Sequence, residues 1–214
     1  MRLDIHHDGY RIKTIDTPAE TEAAYRLRHE VFAEELKWVP EREDRREVDG
    51  YDACSEGLGV FTAKGFIGYM RLIRHTERYM IEREFSCMLP HGMTITKTAD
   101  SAEVTRFCVQ KEYRSIADIN VPLLLYKGLY HWNIYNDIRY SWMVVDKRFY
   151  RLLCLTGLPT EAVAPFVIMP DGVQAAVCLL DWKRFETEAY EKKRELLEWM
   201  QEGLKPVLKQ VSAP

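Results

Sequence analysis

Most of the signatures that announce a cofactor are missing from this chain. It has no phosphate-binding loop, no strand-linked dinucleotide glycine pattern, no His-Glu-x-x-His, no CxxC pair and no nucleophile-elbow glycine–serine pattern. Its six histidines show no ligand spacing. Nucleoside triphosphate, zinc and serine-nucleophile chemistry all lose support, and no metal is expected. A cationic excess is also absent: 30 basic against 33 acidic residues leave a net charge of −3, which argues against a general nucleic-acid binder. No apolar run approaches membrane length, and Met1-Arg2-Leu3-Asp4 does not read as a signal peptide. The five cysteines are scattered and odd in number, as expected of small core residues in a reducing, cytoplasmic setting. There is no internal repeat and no low-complexity segment. The 214 residues are expected to form one domain.

What is present is organised around Ala102 to Val109. Apolar and polar residues alternate there, with β-branched and aromatic types frequent, which predicts a strand with two different faces. A polar turn from Gln110 to Asn120 follows. The pattern then predicts a helix over Val121–Tyr135, a strand over Ile138–Val145, and a short helix over Lys147–Leu155 closed by Gly157. This is a βαβ unit with its strands parallel. Glu103 and Arg106 are unusual in a buried strand, because charges are rarely buried unpaired. A structural salt bridge and a functional pair both account for them. They are three residues apart and so should face opposite ways; sharing one site requires a β-bulge between Glu103 and Cys108.

Before this unit, Tyr10–Ile15 alternates as a strand. Thr17-Pro18-Ala19-Glu20 is a capping box with proline in the first turn, opening a helix to about Glu35. Ala24, Leu27 and Val31 form its core stripe. Tyr25, Arg28 and Phe32 form a second stripe, on which Arg28 is either a solvated charge or a functional one. Leu36–Cys54 has no period. Its charge run from Glu41 to Glu47 reads as solvated surface, whereas Asp49 and Asp52 beside Tyr51 are harder to dismiss. Two apolar segments, 57–63 and 66–73, flank Lys64-Gly65 as a hairpin, with Arg71 near its end as an edge-strand or ligand-facing charge. Residues 75–98 are irregular, with a short helix expected around Met80–Leu89. A second hairpin turns at Asp171-Gly172, and a charged amphipathic helix is expected from about 182 to 207. The predicted class is α+β, with antiparallel hairpins around the βαβ unit.

The central unit, with Val109 leading into Tyr113-Arg114 and a helix, resembles the acyl-transfer core of the GNAT acyltransferase superfamily. That resemblance implies a three-layer αβα sandwich whose mixed sheet is splayed at its central strand. The glycines that usually hold coenzyme A pyrophosphate are missing from Arg114-Ser115-Ile116-Ala117-Asp118-Ile119. Arg28-His29-Glu30-Val31-Phe32, Leu36-Lys37-Trp38, Glu47-Val48-Asp49-Gly50-Tyr51-Asp52, Gly68-Tyr69-Met70-Arg71-Leu72 and Glu103-Val104-Thr105-Arg106-Phe107 together resemble the successive signatures of the acyl-homoserine-lactone synthases, the autoinducer synthases of bacterial quorum sensing. All eight hallmark positions of that family are filled, by Arg28, Phe32, Trp38, Asp49, Asp52, Arg71, Glu103 and Arg106.

The resemblance implies transfer of an acyl group, from acyl carrier protein or coenzyme A, to the amine of S-adenosylmethionine. Lactone closure and loss of methylthioadenosine follow, with no cofactor beyond the two substrates. It implies Glu103 as first candidate base and Asp49 as second, with Arg71 and Arg106 holding the carboxylates. Arg28, Phe32, Trp38, Asp52 and Phe107 are expected at the substrate, with backbone amides near Phe107 facing the thioester. The first 55 or so residues are expected to close as a mobile substrate-binding segment. Lys111, Arg114, Lys127, Lys147, Arg148 and Arg151 suggest a basic patch for an acidic carrier or coenzyme A, or ordinary solvated charge. Family members making 3-oxo products often carry a threonine where this chain reads Met143-Val144-Val145-Asp146, which leans toward unsubstituted, branched or aryl acyl groups. Two rivals stay open: an N-acyl amino acid synthase on the same core, and a non-catalytic ligand-sensing module.

Overall fold

The computed structural model describes residues 2–114 and 121–204. Among these residues, nine strands form one sheet in the order β1-β2-β3-β4-β5-β6-β9-β7, with β8 also paired to β9. Strands β1 (Asp4–His7), β2 (Tyr10–Thr14), β3 (Ser55–Thr62), β4 (Gly65–Arg74) and β5 (Ser101–Val109) run antiparallel in sequence. Strand β6 (Tyr140–Asp146) lies parallel to β5, and β9 (Gln174–Asp181) is antiparallel to β6. Short strands β7 (Thr160–Ala162) and β8 (Val167–Ile168) share the far edge of β9. The β5–β6 connection is α2 (Val121–Tyr135), so the βαβ unit is present as expected.

The alternation of the strands separates two faces. One carries Leu58, Val60, Met70, Leu72, Ala102, Val104, Met143 and Val145 into the main core under α2. Helix α3 (Lys147–Thr156), closed by left-handed Gly157, packs on this side too, with α4 (Trp182–Lys192) and α5 (Arg194–Gln201). The other face carries Tyr69 and Cys108 under α1 (Pro18–Arg28), and Ile73, Trp142 and Val177 under the 79–89 loop. Thr17 caps α1 with the full capping box, as its sequence predicts.

Strands β5 and β6 pair only from Ser101–Tyr140 to Val104–Met143. Beyond that point they diverge, and on the core side Phe107 packs against Tyr126 and Phe149 at centroid distances of 5.3 and 5.0 Å. This is the expected splay. Its cause is local. Between Tyr69–Cys108 and Arg71–Thr105, β4 advances two residues while β5 advances three. Arg106 is the additional residue, with φ +52.

Several boundaries depart from expectation. The first helix does not run straight to Glu35: from His29 to Glu35 it widens into π-helical turns. Met80–Leu89 is a set of turns with one 3₁₀ turn at Ser86–Met88, because its apolar residues point into the second core rather than along one helical stripe. The C-terminal helix is two helices, broken at Lys193 (φ −145); the second ends at Gln201, short of the expected Val207, with Gly203 in the left-handed region at φ +83, and residues 205–207 lie outside the described residues. An additional strand, β1, precedes the expected first strand. So part of the first 55 residues belongs to the sheet itself, not to a separate segment.

Helix α2 sits close to the sheet at Gly128. A Cβ there would lie 2.5 Å from Ile12 Cγ2 and 2.8 Å from Leu58 Cδ2. Alanine normally gains about 1 kcal/mol over glycine inside a helix, but overpacking costs about 1–3 kcal/mol. Gly128→Ala should therefore lower the urea midpoint at unchanged m-value. An unchanged or raised midpoint would show that α2 has room to shift.

Candidate active site

Three buried or nearly buried arginines and three carboxylates meet where α1, the 47–52 loop, β4 and β5 converge. Arg28, at the end of α1, is fully buried. Its Nε donates to Glu47 Oε2 at 2.5 Å, and Nη1 and Nη2 donate to Asp52 at 2.6 and 3.2 Å. Tyr25 and Tyr69 lie over its guanidinium at 5.3 and 5.7 Å. Arg71, on β4, is also fully buried. It donates to both oxygens of Asp49 at 2.5 and 3.0 Å, to Asp52 Oδ1 at 2.9 Å and to Thr105 Oγ1 at 2.9 Å. Arg106 donates to Glu47 Oε1 from Nη2 at 2.9 Å and to Asp49 Oδ2 at 2.8 Å.

The bulge makes this convergence possible. On a regular strand Arg106 would point with Val104 into the apolar core. The additional residue turns its side chain to the face of Glu103 and Thr105, and passes Phe107 to the opposite face. The 47–52 loop closes on itself: Asp49 N–H donates to Asp52 Oδ2 at 2.8 Å and Tyr51 N–H to Asp49 Oδ1 at 2.9 Å. Formal charges of three arginines and three carboxylates cancel, which is what allows ions to be held at this depth.

Burial pushes the Asp49 carboxyl up, but the hydrogen bonds and charge of Arg71 and the charge of Arg106 outweigh it, holding Asp49 below the ordinary carboxylate range. Burial likewise works against charge on Arg28 and Arg71, and their carboxylate partners hold both above the ordinary arginine value. Glu103 behaves oppositely. It has no solvent exposure, and its carboxylate accepts from the backbone N–H of Met80 at 2.6 Å and of Ile81 at 3.0 Å. Burial dominates those hydrogen bonds and pushes it up to about 7. From the ordinary carboxylate value to about pH 7, the folded protein therefore keeps a proton that the unfolded chain has released. This group's contribution to stability falls as pH rises through that window.

A cleft of about 370 Å³ opens beside the network, lined by Asp49, Gly50, Tyr51, Cys54, Glu77, Arg78, Met80, Arg83, Glu84 and Arg106. Of the eight hallmark residues, only Asp49 and Arg106 line it. Arg28, Asp52 and Arg71 lie behind it as support. Phe32 and Trp38 stack on each other at 6.0 Å, with Arg106 over Phe32 at 5.6 Å, so they border the network from outside. Phe107 is on the far side of the sheet.

Glu47 corrects the expectation that the 41–47 run is solvated. Residues 41–45 are exposed, but Glu47 is 5% exposed and bridges Arg28 and Arg106. Its position two residues before Asp49 was the available signal, since alternate residues of an extended stretch share a side. The expected basic patch loses Lys127, which is buried on α2 against Trp199 and Glu202. Arg114 pairs with Glu35 and donates to the Val109 carbonyl, and Lys147 donates to Gln174. Lys111, Arg148 and Arg151 are exposed. The glycine-free turn lies outside the described residues from Ser115 to Asn120. Among the described residues, no cluster is suited to hold a metal ion and no helix is long and apolar enough to cross a membrane.

A mixed sheet splayed at a bulged central strand, with a charged cleft on one face and an aromatic-lined gap on the other, defines a GNAT-like acyltransferase scaffold. The family model for autoinducer synthases matches residues 13–188, so the chain belongs to the autoinducer synthase family. It is 31% identical over 169 residues to an acyl-homoserine-lactone synthase of Rhizobium radiobacter, spanning 76% of this chain and 79% of that one. Among solved structures it resembles the coenzyme A-dependent acyl-homoserine lactone synthase BjaI with methylthioadenosine (MTA), at TM-score 0.73 and 19% identity, over 88% and 86% of the two chains. It also resembles the synthase LasI, at TM-score 0.71 and 21% identity, over 85% and 91%.

Removing one partner of a buried charge pair leaves the others uncompensated, at about 3–5 kcal/mol. Glu47→Ala should lose roughly that much, read by urea denaturation. Glu43→Ala, on the exposed part of the same run, should stay within about 0.5 kcal/mol. Equal effects at both positions would contradict the bridge.

Proposed function

We propose that the arginine–carboxylate network and its cleft form the S-adenosylmethionine site of an acyl-homoserine-lactone synthase. The observation that carries this reading is the Arg106–Asp49–Arg71 junction at the mouth of the cleft, on the same face as Glu103. Asp49 offers an ionised carboxylate to a cationic substrate. Arg106, partly exposed and lining the cleft, offers a donor to the substrate carboxylate. Arg28, with every side-chain nitrogen engaged, acts as a positioning residue that fixes the 47–52 loop. Phe32 and Trp38 supply aromatic faces that attract a sulfonium.

The reaction has two bond exchanges. The substrate amine, after losing a proton, attacks the acyl thioester. A C–N bond forms, the C–S bond breaks, and the thiol leaves with a proton. A carboxylate oxygen then attacks the carbon that bears the sulfonium. A C–O bond closes the lactone, the C–S bond breaks, and methylthioadenosine departs as a neutral thioether. Glu103 is the first candidate for the base and Asp49 the second. A carboxyl near 7 suits proton removal at neutral pH, whereas Asp49 is too well neutralised to be a strong base. The acyl group is assigned to the gap between β5 and β6, against Phe107, where β5 leaves its β6 partner after Val104 and its backbone amides become candidates for the oxyanion. Met143 and Val145 face that apolar side, which supports acyl groups without a 3-oxo substituent. Exposed Lys111, Arg148 and Arg151, with Arg114 and Lys147 beside them, form the docking side for the acyl donor. Unpaired cysteines suit a cytoplasmic enzyme. Family membership favours this reading over an amino acid acylase or a ligand sensor.

Incubation with labelled S-adenosylmethionine and a panel of acyl donors, read by mass spectrometry, should yield lactone and methylthioadenosine together and only when a donor is present. A linear acyl amino acid, or no turnover, would refute the assignment. Glu103→Gln should lower kcat/KM by at least ~100-fold. Because a base acts in its ionised form, wild-type kcat/KM should fall as pH drops below about 7, with that limb lost in Glu103→Gln. A near-normal rate in the variant would remove Glu103 from the role.

Docking of an acidic carrier protein on the basic side should weaken with salt. Reversing charge at Arg148 and Arg151 together should raise the carrier's KM about tenfold while leaving turnover at saturation. An unaltered KM would place the docking side elsewhere.

A further inference from the structure

The proposed base has no open path to the proposed substrate cleft. Glu103 is fully buried and does not line the cleft; Met80, which donates its N–H to Glu103, does. The Met80 side chain is 4% exposed. Its Sδ accepts from Arg71 Nη2 at 3.1 Å and lies 3.7 Å from Arg106 Nη1. One residue therefore joins four features: the cleft, the carboxylate behind it, and the two arginines that organise Asp49. Methionine is unbranched and has three rotatable bonds, so its side chain can move without disturbing its backbone.

We propose that Met80 is a positioning residue with two parts. Its backbone N–H fixes Glu103, and its thioether is a movable plug that separates Glu103 from the cleft and swings aside when the substrate engages Arg106. The inference rests on the site reading above. A thioether is a weak acceptor, so a substrate carboxylate offered to Arg106 outcompetes it, and the Arg106 contact is lost as the substrate is gained, leaving the plug held by Arg71 alone. The plug also keeps Glu103 dry, which accounts for the burial that raises its carboxyl. The ionisable groups facing Glu103 are Arg71 from β4, Tyr79 and Glu82 from the 79–82 turn, and Tyr51 from the 47–52 loop. Arg106 contacts Met80 at Sδ. Trp142, its register partner on β6, is uncharged. All of these residues are kept when Met80 is changed, and of them Arg71 loses its contact with Sδ.

The test reads the carboxylate directly, without turnover. In protein labelled with ¹³C at glutamate side chains, with Glu103→Gln used to assign the resonance, the Glu103 carboxyl should titrate near neutrality. Met80→Ala, which opens the path to water, should move that titration toward acid by about one pH unit or more. Met80→Gln, of similar length but hydrated, guards against loss of folding in the alanine variant and should move it the same way. Met80→Leu, which keeps an apolar plug, should leave it near the wild-type position. Where turnover is observed, the acid limb of kcat/KM should move with the carboxyl in Met80→Ala and Met80→Gln. An unmoved titration in both variants would overturn the plug. A titration that moves in a protein making no lactone would uphold the plug while rejecting the assigned reaction, so the two failures are distinguishable.

Discussion

The structure turns on one carboxylate shared by two arginines. Glu47 receives Arg28 from the end of α1 and Arg106 from the bulge of β5, so it ties the helical layer on one face to the central strand. Each arginine also has a second carboxylate, Asp52 for Arg28 and Asp49 for Arg106, but Glu47 alone accepts hydrogen bonds from both. Buried charges are expensive and survive only when nearly all their hydrogen-bonding capacity is met. Asp49 and Asp52 complete the set by binding Arg71 and the remaining edge of Arg28. Such a network adds little net stability over an apolar core of equal volume. Its effect is positional: the loop, the helix and the strand have one mutual arrangement in which every charge is partnered.

The bulge is the second constraint, and it serves both faces of the sheet. Holding a non-glycine residue in the left-handed region costs roughly 1 kcal/mol. At Arg106 that cost is repaid by its ion pairs with Glu47 and Asp49. The same additional residue sends Phe107 to the opposite side, where it packs with Tyr126 and Phe149 beside the gap between β5 and β6. One local irregularity thus builds the charged cleft and opens the apolar gap. Under the proposed function, these two environments would take the cationic substrate and the acyl chain on either side of one strand.

Glu103 and Asp49 are both carboxylates on one face of the sheet, yet their surroundings drive them apart. Asp49 is surrounded by guanidinium groups and stays ionised. Glu103 is bound by neutral backbone amides in a dry pocket and is pushed up to about 7. Separation of this kind is how two similar groups take different parts in one site; in the proposed site Asp49 would hold charge and Glu103 would move a proton.

Periodicity alone determined the strand around Glu103, the helix over Val121–Tyr135 and the parallel β5–β6 pair, because these depend on short-range spacing of apolar residues. The capping box of α1 is equally local. The eight charged and aromatic hallmarks were legible as a pattern, and the need for a bulge followed from the spacing of Glu103 and Arg106. Tertiary structure decided what each hallmark touches. It put Arg28 and Arg71 out of solvent, set Phe107 on the far face and enclosed Glu103 behind Met80. It also buried Glu47 within a run that composition presents as solvated. The reason is physical. Alternation fixes which way a side chain leaves its own strand, but the partner that neutralises a buried charge comes from sequence-distant segments, here 19 residues from Arg28 and 59 from Arg106. No local pattern encodes that pairing.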